Sequence, residues 1–202
     1  MCGINGIVYK NKDITGLERL STMNTSLTHR GPDAEGKHSI NDRVYLGHRR
    51  LSIIDLNERS NQPMFCPDGD VIIVFNGEII NFKKIKNKLL NNYDFITNSD
   101  TEVLLAGYKV KGIEWLLNEI RGMYSFSIYD KRTDETFLVR DRLGIKPLFY
   151  TISEKFLIFS SEIKGILSSG LHKPKFNEKA VDDYLAYRYV REPNTFFKIY
   201  WK

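Results

Sequence analysis

Apolar and polar positions change period several times along this chain, and each change marks an element. Ile4 to Tyr9 is short, β-branched and aromatic, which predicts a strand starting almost at the first residue. Leu17, Leu20, Met23, Asn24 and Leu27 then recur at helical spacing, so Ile14 to Leu27 reads as a helix. Gly31-Pro32-Asp33 stops it and turns the chain. Val44 to His48 and Leu51 to Asp55 read as strands, and the polar stretch Asn57 to Gly69, with Pro63 and Pro67, as a loop. Val71 to Phe75 is a continuous apolar run that suits a strand buried on both faces, and Asn76-Gly77-Glu78 follows as a turn.

Helical spacing returns over Phe82 to Leu90. Ser99-Asp100-Thr101-Glu102 has the composition of a helix cap with an acidic first turn, leading a helix to about Val110. A further helix spans Glu114 to Glu119. Tyr124 to Tyr129, Thr136 to Arg140, Leu148 to Thr151 and Phe156 to Ser160 have strand character, with Asp130 to Asp134 as a hairpin connection. Glu162 to Leu167 reads as a short helix, and Asn177 to Tyr187 as another with Asn177 as its cap. Strands and helices come in clusters rather than in strict alternation. That predicts an α+β fold of packed antiparallel sheets with helices outside, not a doubly wound parallel sheet.

Composition narrows the classes. The 202 residues are enough for one domain with a substantial core, and 42% hydrophobic with 27% charged residues is ordinary globular usage. The net charge of +5 is spread thinly. Its densest run, Lys83 to Lys88, is broken by apolar residues at helical spacing, so it reads as a solvated helix face rather than a nucleic-acid surface. No apolar run approaches a membrane span and no signal-peptide pattern opens the chain, so the expectation is a soluble, cytoplasmic protein. Cys2 and Cys66 form no CxxC pair, and no metal site is expected.

The chemistry begins at Met1-Cys2-Gly3. Removal of an initiator methionine before a small side chain would make Cys2 the amino terminus. One residue would then carry a thiol with a pKa of about 8.5 and an α-amine of about 7.7–8.0, a nucleophile with its own base. For that reason neither His29 nor His48 is needed for a Cys–His dyad, and Cys66, in a Pro-containing loop, reads as an unreactive bystander.

Further segments follow in order: Arg30-Gly31-Pro32-Asp33, Gly47-His48-Arg49-Arg50-Leu51-Ser52-Ile53-Ile54-Asp55, Asn76-Gly77-Glu78-Ile79 and Ser99-Asp100-Thr101-Glu102. Gly122 to Phe126, Arg140 to Leu148 and Ser160 to Lys164 extend the pattern. Over nearly its whole length the chain resembles the class II glutamine amidotransferases, which are N-terminal-nucleophile (Ntn) hydrolases. Within them it looks like the glutaminase domain of glutamine-hydrolysing asparagine synthetases. The resemblance implies a four-layer αββα sandwich with two mostly antiparallel sheets. It implies hydrolysis of L-glutamine to L-glutamate and ammonia through a γ-glutamyl thioester on Cys2. Asn76 and Gly77 would form the oxyanion hole. Arg50 would clamp the substrate carboxylate, Asp100 would pair with its ammonium, and Leu51, Ser52, Ile53, Ile54 and Glu78 would line the pocket. Arg49 reads as a surface residue, the Arg30 to Asp33 loop as a support beside the nucleophile, and Asp141 to Pro147 as a shaped sheet edge.

No cofactor is expected in the glutaminase domain itself. ATP and Mg2+ would belong to an ATP-pyrophosphatase synthetase domain that amidates aspartate. Its Ser-Gly-Gly-x-Asp-Ser type loop does not occur in this sequence, so that partner would be C-terminal or separate. Residues 187–202 read as the start of the connection to it. No nucleic-acid or membrane partner is expected, and a homodimer is left open. Two alternatives stand beside this reading. One is the glutaminase of another amidotransferase (amino-sugar, purine or surface-polysaccharide pathway); the other is an inactive glutamine-binding module if Met1 stays in place.

Overall fold

A computed structural model describes residues 1–191, 194–197 and 200–201. Two antiparallel sheets lie face to face between helices. The first has the order β10-β8-β9-β1-β3-β2 and the second β4-β5-β6-β7. Their strands are β1 (Gly3–Tyr9), β2 (Ala34–Ile40), β3 (Val44–Arg50), β4 (Met64–Phe65), β5 (Val71–Ile79), β6 (Gly122–Asp130), β7 (Glu135–Arg140), β8 (Phe149–Ile152), β9 (Phe156–Ser160) and β10 (Tyr200–Trp201). The helices are α1 (Gly16–Ser26), α2 (Phe82–Leu89), α3 (Asp100–Lys111), α4 (Ile113–Glu119), α5 (Ile163–Ser168) and α6 (Lys179–Tyr187).

Period-2 alternation assigns the layers. Ile4 of β1, Val44 and Leu46 of β3, and Ile72 and Val74 of β5 meet between the sheets. The other face of β1 and β3, through Ile7, Tyr9 and Tyr45, packs on α1 and α5 through Leu20, Met23 and Ile166. The outer face of β5 and β6, through Val71, Ile73, Phe75, Phe126 and Ile128, packs on α2, α3 and α4. The central strands of each sheet are therefore buried on both faces, which explains why β5 reads as a continuous apolar run. The result is the expected αββα layering, and every strand pairing among the described residues is antiparallel.

Several expectations are corrected. Leu51–Asp55 is not a strand. Those residues form a loop in which the Ile54 and Asp55 carbonyls turn to the Arg50 guanidinium, and the Leu51 carbonyl to Cys2 Sγ, instead of to a neighbouring strand. Asn76-Gly77-Glu78 is not a turn. The three residues continue β5 and pair with Ser125, Tyr124 and Met123 of β6. A β carbon on Gly77 would lie 2.3 Å from the Met123 carbonyl oxygen, and one on Gly122 2.1 Å from that of Glu78, so these two glycines let β5 and β6 approach closely. Strand β2 was missed because Ala34 to Ile40 is mostly polar; it is an edge strand on β3 with one face toward solvent. Within the loop predicted over 57–69 lie a single 3-10 turn, Glu58–Ser60, and the two-residue β4. Helix α6 starts at Lys179, and Asn177 does not cap it, its amide donating to the Thr195 carbonyl instead.

Parts of the segment read as a connection, 192–193, 198–199 and 202, lie outside the described residues. Of the rest, Phe197 bridges to Phe176 and β10 pairs with β8.

Candidate active site

The site lies where one end of the gap between the sheets opens. The same alternation that buries Ile4, Leu46 and Val74 places His48 and Arg50 from β3 and Asn76 from β5 in that gap. Cys2 sits one residue before β1. Its Sγ lies 3.4 Å from the Leu51 N–H and 3.6 Å from the Leu51 carbonyl. A cavity of about 260 Å³ joins them, lined by Met1, Cys2, Arg50, Leu51, Ile53, Ile54, Asn76, Gly77, Glu78 and Asp100. Ser60, Gln62, Phe75, Ser99, Thr101 and Lys146 complete the lining.

The Cys2 backbone is held from behind. Arg30 donates from Nε to the Cys2 carbonyl at 2.9 Å and pairs with Glu162 at 3.0 Å. The Arg30 guanidinium, together with His29 and Lys164, holds the partly buried Glu162 carboxyl below its ordinary range despite the opposing effect of burial. The two histidines point elsewhere. His29 is bound to Glu162, and His48 is fully buried with Nε2 3.1 Å from the Phe75 carbonyl. Burial pushes the His48 imidazole down to about 3, so it is neutral. Its carbonyl partner can only accept, which fixes Nε2 as the protonated nitrogen.

The Asn76 side chain is buried, and among the described residues its Nδ2 has no hydrogen-bond partner. A buried amide left without a partner costs about 1–3 kcal/mol, so such a group is expected where a ligand completes it. Gly77 supplies a second donor by strand geometry. Tyr124, opposite it, spends its N–H on the Asp141 carboxylate, and its carbonyl accepts from the Asp141 N–H. Gly77 and Tyr124 are therefore a non-hydrogen-bonded pair, and the Gly77 N–H points away from β6.

Asp100 begins α3, with Ser99 as the N-cap accepting from the Thr101 N–H. The buried Asp100 carboxylate accepts the Ile79 N–H at 3.0 Å, and burial pushes its pKa up to about 6, helped by nearby Glu78 and opposed by backbone hydrogen bonds. Arg50 is also buried, but its fork is occupied. One terminal nitrogen donates to the Asn57 carbonyl and Asn61 Oδ1, the other to the Ile54 and Asp55 carbonyls. In this state Arg50 organises the 51–57 loop, and taking a carboxylate bidentately requires it to release some of those oxygens.

Ser52 is the expected site residue that the structure leaves out of the cavity; its N–H turns to Asp33 at 2.8 Å. Arg49 is not a plain surface residue. It is half-buried and tied to the Gly31 carbonyl and Glu35. Cys66 is buried and accepts the Val71 N–H. Asp141 gathers the N–H groups of Leu143, Ile145 and Lys146, which shapes the edge beyond β7 and turns Lys146 toward the cavity mouth. Sequence reasoning missed Gln62 and Lys146. Lys146 sat inside a recognised segment, whereas nothing near Gln62 distinguishes it from other loop amides. Among the described residues no group of three or more His, Cys, Asp or Glu could hold a metal, and no helix is long and apolar enough to cross a membrane.

A family model of the glutamine amidotransferase domain matches residues 1–201. The chain belongs to that family. Asparagine synthetase [glutamine-hydrolyzing] 2 of Bacillus subtilis is 43% identical over 89% of this chain and 24% of its own length. Amidase chry2 of Gibberella zeae is 36% identical over 91% of this chain and 29% of its own length. A glutamine phosphoribosylpyrophosphate amidotransferase from B. subtilis shares the fold with a TM-score of 0.70 at 22% identity, over 84% of this chain and 44% of that one. This glutamine amidotransferase domain thus spans between 24% and 41% of the length of the first curated relatives it matches.

Proposed function

We propose that this glutamine amidotransferase domain hydrolyses L-glutamine to L-glutamate and ammonia. We further propose that it supplies the ammonia to an ATP-dependent synthetase domain that amidates aspartate. The observation that carries the reading is the buried, unpartnered Asn76 amide in the same cavity as the Cys2 thiol. With Met1 removed, the α-amine takes the thiol proton and Cys2 Sγ attacks the side-chain carbonyl carbon of glutamine. A C–S bond forms and the carbonyl π pair moves to oxygen, where Asn76 Nδ2–H and Gly77 N–H receive it. The α-ammonium returns its proton to the leaving nitrogen as the C–N bond breaks and ammonia departs. Water then attacks the thioester with the amine as base, and the C–S bond breaks to release glutamate and the thiol. Arg50 and Asp100 serve the α-carboxylate and α-ammonium, and Glu78 and the 51–54 backbone close the pocket. No cofactor enters these steps; ATP and Mg2+ serve the synthetase domain. Such thiol chemistry suits the reducing cytoplasm.

The resemblance to asparagine synthetases across most of the chain supports aspartate as acceptor. A relative named an amidase, matched to a similar extent, motivates a second reading with the same glutaminase and a different acceptor. Intact mass before and after 6-diazo-5-oxo-norleucine, a glutamine-like electrophile, tests the first step. Loss of one methionine and a single adduct on Cys2 are expected. Glutaminase turnover that survives Cys2→Ala in the processed chain rejects the mechanism.

A further inference from the structure

Strand β4 covers only Ile72 and Ile73 of β5. Beyond them, the β5 backbone groups that face away from β6 have no strand to pair with among the described residues. Side chains from separate places in the chain take over. Gln62 Oε1 accepts the Phe75 N–H at 2.6 Å, His48 Nε2 donates to the Phe75 carbonyl at 3.1 Å, and Asp100 Oδ2 accepts the Ile79 N–H at 3.0 Å. Gly77 lies between them on the same edge and lines the cavity, its N–H left free for the substrate oxygen.

Of these three side chains, only His48 comes from the sheet that carries the nucleophile. It is the cross-strand partner of Ile4, two residues from Cys2. Its bond to the Phe75 carbonyl lands one residue before Asn76. The path from Sγ to the amide donors therefore runs through two residues of β1, one β1–β3 pairing and one side-chain hydrogen bond between the sheets. The imidazole is completely buried and has no contact with Cys2 among the described hydrogen bonds, so it is not placed as an acid or base.

Resting on the glutaminase reading, we propose that His48 is a positioning residue whose Nε2–H···O=C bond to Phe75 sets the spacing between Cys2 and the oxyanion donors Asn76 and Gly77. Its loss should spare ground-state binding, which uses Arg50 and Asp100, and slow the steps that develop an oxyanion. Displacements of about 1 Å between reacting groups cost on the order of 100-fold in rate.

The test compares wild type, Cys2→Ala, His48→Leu and His48→Gln in this chain after Met1 removal. It measures kcat and KM for glutamine and the rate of Cys2 alkylation by iodoacetamide, a displacement that forms no oxyanion. His48→Leu should lower kcat by about 10-fold or more while KM stays within about 3-fold and alkylation within about 2-fold. Gln, whose Nε2 can reach the same carbonyl, should restore most of kcat. An unchanged kcat in His48→Leu, a parallel fall in kcat and alkylation, or failure of Gln to rescue overturns the inference. Should His48→Leu not fold, His48→Asn, whose shorter amide falls short of the carbonyl, replaces it, and equal kcat in the Asn and Gln variants overturns the inference. If wild type shows no Cys2-dependent turnover, the glutaminase reading falls and this inference with it; if wild type is active and His48→Leu matches it, only this inference falls.

Discussion

Asp100 holds its charge against the fold, and the consequence can be measured. Burial lifts its pKa from an ordinary 3.8 to about 6. At about 1.4 kcal/mol per tenfold in proton affinity, ionising it in the native state costs about 3 kcal/mol. The native state holds this proton more tightly than the unfolded chain does. The penalty is therefore absent below pH 3.8, grows as pH rises toward about 6, and is fully present above it. About 1.4 kcal/mol of it develops between pH 5 and pH 8. Asp100→Asn keeps an oxygen for the Ile79 N–H and removes the charge. Its melting temperature relative to wild type should therefore rise by about 3–5 °C more at pH 8 than at pH 5, given roughly 2–4 °C per kcal/mol for a chain of this size. On the proposed binding mode, glutamine saturation should move the other way, because the substrate ammonium would lose its carboxylate. In wild type, kcat/KM should fall by a further factor of about ten per pH unit below about 6, on top of the slope set by the α-amine, and Asn should remove that second inflection. Paired thermal melts at the two pH values, with glutaminase kinetics beside them, are the assay. A melting difference that does not change with pH means that Asp100 does not titrate in this window, and the reasoning fails.

On the proposed mechanism, Asn76→Ala should lower kcat by about 100- to 1,000-fold with little change in KM, read by steady-state ammonia release, since the side chain would act on charge that forms only in the transition state. Arg50→Lys should raise KM for glutamine by about tenfold or more and make the 51–57 loop easier to cleave in limited proteolysis, because an ammonium cannot hold the four oxygens that the guanidinium now gathers. Gly77→Ala should destabilise the chain by about 1–3 kcal/mol in denaturant unfolding, because its β carbon would lie 2.3 Å from the Met123 carbonyl oxygen.

How much of this was legible in the sequence depends on how local each feature is. Strand β5 and helices α2 and α3 were readable because burial on both faces, amphipathic spacing and the Ser99 cap leave their marks within a few residues. The polar edge strand β2 carries no such mark, since one of its faces meets solvent. The loop at Leu51 to Asp55 reads as a strand because Leu51, Ile53 and Ile54 are apolar and the two isoleucines are β-branched. What unmakes it is that the buried Arg50 guanidinium takes the Ile54 and Asp55 carbonyls while the Leu51 carbonyl faces Cys2.

Asn76-Gly77 is the instructive case. The same two residues suit a tight hairpin turn or a strand edge, and the dipeptide cannot choose between them. The choice lies about 45 residues away, where Gly122 lets β6 run alongside Glu78. It also lies upstream, where β4 stops after two residues and leaves the edge open. In a turn, these amides would point to solvent and pair with water. On an edge where Gln62, His48 and Asp100 take the neighbouring backbone groups, the Asn76 Nδ2 and the Gly77 N–H keep no partner among the described residues and face the cavity that holds the Cys2 thiol. The residue types needed for the chemistry can thus be read from the chain, whereas their lack of partners, which makes them useful, is a property of the topology.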